Sequence, residues 1–115
     1  MRYLLLIGSD DKAAATPSPA QSQATVQAFM RFSEEARKAG KTVVAERLRP
    51  EAEASRLRVK AGHHQVTDGP FAETKEALGG FYLLECASRE EALEWAKKVP
   101  IGEGAYVDVR PVWHM

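Results

Sequence analysis

The sequence predicts an α+β domain in which a mostly antiparallel sheet carries its two main helices on one face. Three observations predict it. Strand-like and helix-like segments follow one another as strand, helix, strand, small hairpin, strand, helix, strand. The hydrophobic period is two in the strand segments and about 3.6 in the two helical ones. The chain has 115 residues, 44% of them hydrophobic, enough for one domain around one core. Residues 1–115 are therefore read as a single domain.

Each element has a local cause. Residues 3–7, YLLLI, form a continuous apolar run, short enough for a strand buried on both faces. Residues 9–21, SDDKAAATPSPAQ, are small and polar with two prolines and read as a loop. Residues 21–39 then follow a helical period. Val26, Phe29, Met30, Ser33 and Ala36 share one side, with Phe32 at its edge. Gly40 supplies the stop, and Arg37 and Lys38 sit at the negative end of the helix dipole. Residues 41–48 read as a strand around Val43 and Val44. In residues 56–60, Leu57 and Val59 alternate with basic side chains, the pattern of a half-exposed strand. AGHH makes a tight turn containing His63 and His64, and residues 65–67 return as the hairpin partner.

Residues 66–85, VTDGPFAETKEALGGFYLLE, hold a turn at Asp68-Gly69-Pro70, a charged cluster of Glu73, Lys75 and Glu76, and two glycines. Residues 80–86 are the clearest strand. Ser88 and Glu91 form a capping-box pattern. The helix they start carries Ala92, Leu93, Trp95, Ala96 and Val99 and ends before Pro100, and residues 106–113 are the last strand. Two β-α-β halves in this order make a ferredoxin-like sandwich.

With the helices on one face, the other face alternates polar residues if it meets water. It does not do so here. Phe81 and Leu83 point one way and Tyr82 and Leu84 the other, and residues 3–7 are apolar on both sides. Burial on two sides requires a second cover, and the expected one is a partner subunit packed sheet to sheet in a homodimer. On the last strand Tyr106, Asp108, Arg110 and Val112 share the dimer-side face, while Val107, Val109 and Trp113 share the helix side. Glu46, in phase with Val44 and Leu48, joins the dimer-side face. Charges in such a place are paired, hydrated or bound to a ligand.

Other classes are excluded. Lys plus Arg and Asp plus Glu are both 16, so no basic footprint for nucleic acid exists. No apolar run approaches the roughly 18 residues that span a membrane, and the N-terminal run is too short for a signal peptide. Cys86 is the one cysteine and forms no internal disulfide. A cytoplasmic location is expected. No phosphate-binding glycine loop or nucleophile elbow is present, so no cofactor is expected. His63, His64 and His114 fit no zinc spacing, so no metal site is expected.

The string VTDGPFAETKEALGGFYLLE, with ERLRP before it and VDVRPVW after it, resembles the DGPF-domain branch of the YCII-related family. The resemblance extends over nearly the whole chain, including RYLLLI and SREEALEWAKKVP. It implies a dimeric α/β barrel of ferredoxin-like subunits. It also implies a cleft in which some relatives are proposed to use a His-Asp pair, and, for bacterial relatives, an association with extracytoplasmic-function sigma factors. The histidine of that pair falls in the first helix, about three turns before the terminal glycine. Here that position is Phe29, which transfers no proton.

Two functions from different classes follow. In the first, a cytoplasmic homodimer performs cofactor-free proton-transfer or lyase chemistry on a small polar or aromatic molecule. Asp68 is then the candidate base, and Lys75 and Arg110 stabilise negative charge. Glu46, Asp108, Phe71 and Glu73 complete the candidate substrate contacts. In the second, the chain is a non-catalytic ligand sensor or a regulatory partner of a sigma factor. Each candidate also has a structural reading: Asp68 as a turn carboxylate, Glu73 and Lys75 as a solvated turn, and Glu46, Asp108 and Arg110 as a cross-sheet ion pair.

Overall fold

The computed structural model describes residues 1–9, 19–71 and 77–113. The elements are β1 (Arg2–Ser9), α1 (Pro19–Lys38), β2 (Thr42–Arg47), a 3₁₀ turn (Glu51–Glu53), β3 (Ser55–Lys60), β4 (His63–Asp68), β5 (Ala77–Glu85), α2 (Arg89–Lys97) and β6 (Ala105–Pro111). Four strands hydrogen-bond in the order β2-β5-β1-β6, with every pairing antiparallel. Strands β3 and β4 form a separate two-stranded ribbon. The architecture is α+β with two helices, as the sequence predicts, and the sheet is open rather than closed into a barrel.

Side-chain alternation assigns the two sheet faces. Tyr3 and Leu5 of β1 and Tyr82 and Leu84 of β5 are buried, and Ile7, Val107 and Val109 pack against them. Phe32 of α1 joins the same cluster together with Ala92 of α2 and Val99, so both helices cover this one face. Leu5 and Leu84 have no exposed surface. The Phe32 and Tyr82 rings meet edge to face with centroids 4.9 Å apart. The Tyr82 hydroxyl, whose ring is buried, satisfies its polarity at 2.8 Å from Ser33 Oγ.

Among the described residues, no helix lies over the opposite face. Register lines up Glu46, Phe81, Leu6 and Asp108 in one row across the four strands, and Val44, Leu83, Leu4 and Arg110 in the next. The four central leucine and phenylalanine side chains are half-buried, while Val44, Leu48 and Leu78 near the rim are exposed. The chain measures 46 × 44 × 19 Å. The shortest of these matches one sheet and one helical layer, given about 10 Å per layer.

Three local readings of the sequence are corrected. In α1 the buried residues are Phe32 and Ala36, with Phe29 and Ser33 half-buried, whereas Val26 and Met30 are exposed. Phe29, Met30 and Phe32 are too close in sequence for period alone to fix the phase of the helix. In the hairpin, Ala61 and Gly62 both have positive φ, 51° and 79°, the signature of a two-residue primed turn. The turn therefore ends at Gly62, and His63 and His64 belong to β4. Finally, β6 ends at Pro111, which leaves Trp113 88% exposed instead of on the helix side.

One ion pair ties the layers together. Ser88 caps α2 by accepting a hydrogen bond from the Glu91 N–H at 3.2 Å. The Glu91 carboxylate lies 2.7 Å from Lys41 Nζ, at the junction of α1 and β2. This ammonium holds the Glu91 carboxyl below its ordinary value of 4.5. Arg37 does the same for Glu34, and the terminal ammonium for Glu85. A carboxyl lowered on folding contributes stability above its unfolded value, and that contribution is lost as pH falls through the folded one. Thermal unfolding of the wild type is therefore expected to be flat between about pH 5 and 8 and to drop below 4.5. Glu91→Gln should drop less steeply; equal slopes for the two proteins would remove the ion pair from the account.

Candidate functional site

The site is built where the chain leaves the sheet after β2. Leu48 N–H donates to the Gly79 carbonyl at 2.9 Å, which carries the ladder one residue past the strand. The 3₁₀ turn then closes through Glu53 N–H to Pro50 O and Ala54 N–H to Glu51 O, both 2.9 Å. Arg49 Nε donates to Glu53 Oε1 at 2.8 Å across this turn. At the root of the ribbon, Gly69 N–H donates to Ala54 O at 2.8 Å, fastening the end of β4 to the turn.

Phe71 then lies beneath Arg56, whose guanidinium carbon is 3.9 Å from the ring centroid. Phe71 is buried at 7% exposure although it follows the last strand residue of the ribbon by only three positions. A guanidinium over an aromatic face is a cation–π contact, so ring and cation hold each other in place.

These pieces enclose a half-open groove of about 600 Å³, within the range typical of small-molecule sites. Its wall is mostly apolar: Leu48, Pro50, Ala54, Phe71, Ala77 and Leu78. Arg49, Glu51, Glu53 and Arg56 supply the charge around it. Leu48 and Leu78 are also exposed at the rim of the open sheet face, so groove and face are continuous.

The sequence candidates fall in three places. Phe71 lines the groove. Glu46, Asp108 and Arg110 lie exposed on the open sheet face, as their alternation predicts. Glu46 and Asp108 stand on opposite edge strands, three strand spacings or about 14 Å apart, so Glu46 forms no ion pair across the sheet with β6. Asp68 is exposed at the end of the ribbon, where its carboxylate accepts a hydrogen bond from Ser55 Oγ at 3.2 Å. Neither Asp68 nor Arg110 lines the groove. Glu73 and Lys75 lie outside the described residues, as does His114.

Arg49, Glu53 and Arg56 are groove residues that sequence reasoning missed. The i,i+4 spacing of Arg49 and Glu53 was the available signal, but only the folded ribbon root brings Arg56 to the same space. Cys86 is buried within the core cluster, and its burial pushes the thiol upward, so it stays neutral and packs as an apolar side chain. Among the described residues, no cluster of His, Cys, Asp and Glu is arranged to hold a metal ion, and no helix is long and apolar enough to cross a membrane.

Comparison with known proteins agrees over the full length. The family model described as YCII-related domain matches residues 1–115. An uncharacterised protein of Rhizobium meliloti (strain 1021) is 37% identical over 115 residues, covering 97% of this chain and 92% of the relative.

Proposed function

From the chain's membership of the YCII-related family, we propose that it is a small-molecule-binding homodimer. In this reading the ferredoxin-like protomer, of the DGPF branch, uses its open sheet face to meet a second copy, giving a dimeric α/β barrel. The groove beside Phe71 holds a small aromatic molecule with a polar substituent. The observation that carries this is the groove at the rim of the uncovered face. It sets an apolar wall, an anchored ring and fixed charges around one space. The apolar wall takes the hydrocarbon part of a ligand, and the positive charge of the Arg56 guanidinium at the groove's edge favours an anionic or carbonyl oxygen there.

Binding is favoured over proton transfer by the position of Asp68. Its carboxylate is solvated, engaged by Ser55, and outside the groove lining. A general base must reach the proton that it abstracts, and Asp68 stands outside the space that a ligand in the groove would occupy.

Backbone amide NMR tests the reading, with benzoate and benzamide as probes. Shifts are expected at Arg56, Phe71, Ala77 and Leu78, and should disappear in Phe71→Ala. If neither probe moves these amides, or if Phe71→Ala responds like the wild type, the groove is not a binding site.

A further inference from the structure

We propose that a ligand in the groove locks the β3–β4 ribbon in its docked position, so that ribbon and groove regulate each other. This deepens the small-molecule-binding reading and rests on it. Among the described residues, the ribbon hydrogen-bonds as a two-stranded unit outside the four-stranded sheet. Every residue of β4 is exposed, and so is every residue of β3 except Arg56. An isolated two-stranded hairpin is marginal in water, and segments with few buried apolar contacts open at the lowest free energy. The contacts at the root of the ribbon therefore weigh heavily in how far it stays formed and docked.

That root is also a wall of the groove. The Arg56 guanidinium carbon is 3.9 Å from the Phe71 ring centroid. Gly69 N–H donates to Ala54 O at 2.8 Å, and Ser55 Oγ donates to the Asp68 carboxylate at 3.2 Å. Ala54, Arg56 and Phe71 line the groove together with Leu48, which follows β2, and Leu78 of β5. A molecule in the groove thus bridges the ribbon root and the main sheet. It meets both only while Arg56 and Phe71 are docked, so it binds the docked ribbon in preference to the open one. A ligand shifts an equilibrium by its differential affinity for the two states. The coupling is reciprocal, so whatever loosens the ribbon weakens binding in the groove. The apparent dissociation constant is the intrinsic one divided by the docked fraction.

The tip of the ribbon tests this from a distance. Gly62 has a φ of 79°, and a Cβ there would meet nothing within 4 Å, so a substitution acts through the backbone alone. Ala61 beside it lies five residues beyond Arg56 along the chain, about 17 Å in a strand, and neither tip residue lines the groove. Valine resists a positive φ, whereas asparagine tolerates it. Gly62→Val should raise the dissociation constant for benzoate about threefold or more, read from the amide shifts of Phe71 and Leu78. Gly62→Asn should stay close to the wild type. A second measurement uses the wild-type chain alone. Hydrogen exchange of the β3 and β4 amides should slow about tenfold when benzoate is at about ten times its dissociation constant. The Gly40 N–H, bonded to Arg37 O at the end of α1, should exchange as before. Equal affinities for Gly62→Val and the wild type, equal weakening by both substitutions, or ribbon amides that exchange alike with and without benzoate overturn the coupling and leave the groove standing. A wild type whose groove amides do not move with benzoate or benzamide overturns both.

Discussion

Leu84→Ala should lower the unfolding free energy by about 2–5 kcal/mol, whereas Leu83→Ala, its neighbour on β5, should cost the protomer less than half as much. The two side chains are chemically identical and one residue apart, but the pleat sends them to opposite faces. Leu84 has no exposed surface and sits in the core cluster with Tyr3, Leu5 and Phe32, under both helices. Removing its branched end leaves a cavity that two helices and a sheet cannot close. Leu83 is half-buried beside Leu4 and Val44 on the open face, where water or a partner fills the space. Its truncation should instead weaken association and make the unfolding midpoint more dependent on protein concentration, since a partner that binds only the folded state stabilises it by mass action. Urea denaturation at two protein concentrations separates the effects. Equal losses at both positions, without concentration dependence, would contradict the assignment of faces.

Gly69→Ala is expected to destabilise the protein by about 1–3 kcal/mol and to abolish the amide shifts caused by benzoate. A Cβ at Gly69 would fall well inside van der Waals contact with the Glu51 carbonyl oxygen, and within 3.2 Å of its carbon and 3.4 Å of Ala54 O. All three obstacles are backbone, so no rotamer change relieves them. The Gly69 N–H to Ala54 O bond that fastens the ribbon root would have to lengthen as the chains separate. Because Glu51 and Ala54 line the groove, the same displacement reshapes the site. Thermal unfolding and the NMR titration read the two effects, and a wild-type result in both would show that the close approach is dispensable. The glycine of the DGPF string thus has a packing reason, independent of any chemistry at Asp68.

The order of elements and the division of the sheet into two faces were legible because strand alternation is a strong local signal. Tyr3, Leu5, Tyr82 and Leu84 are in phase with the core, and Glu46, Asp108 and Arg110 are in phase with the open face. The rotation of α1 was not legible. Its apolar residues ring more than half the helix, and contact with Tyr82 and Trp95 selects Phe32 over Val26 and Met30. The groove was not legible either, apart from Phe71. It forms from a 3₁₀ turn, a ribbon root and the start of β5, segments separated in sequence and joined by backbone hydrogen bonds rather than by a motif. The string that drew attention to Asp68 contributes an aromatic anchor and a close-packed glycine; its carboxylate is turned to solvent beside Ser55.

The claim that two open sheet faces meet is tested most directly by sedimentation equilibrium of the wild type beside Leu83→Asp. A charge at the centre of the proposed interface is buried without a partner on association, which costs far more than it does on a free surface. The wild type should show twice the 12.7 kDa protomer mass and Leu83→Asp a single protomer that keeps its helices. A wild-type monomer, or a variant as dimeric as the wild type, would contradict the account.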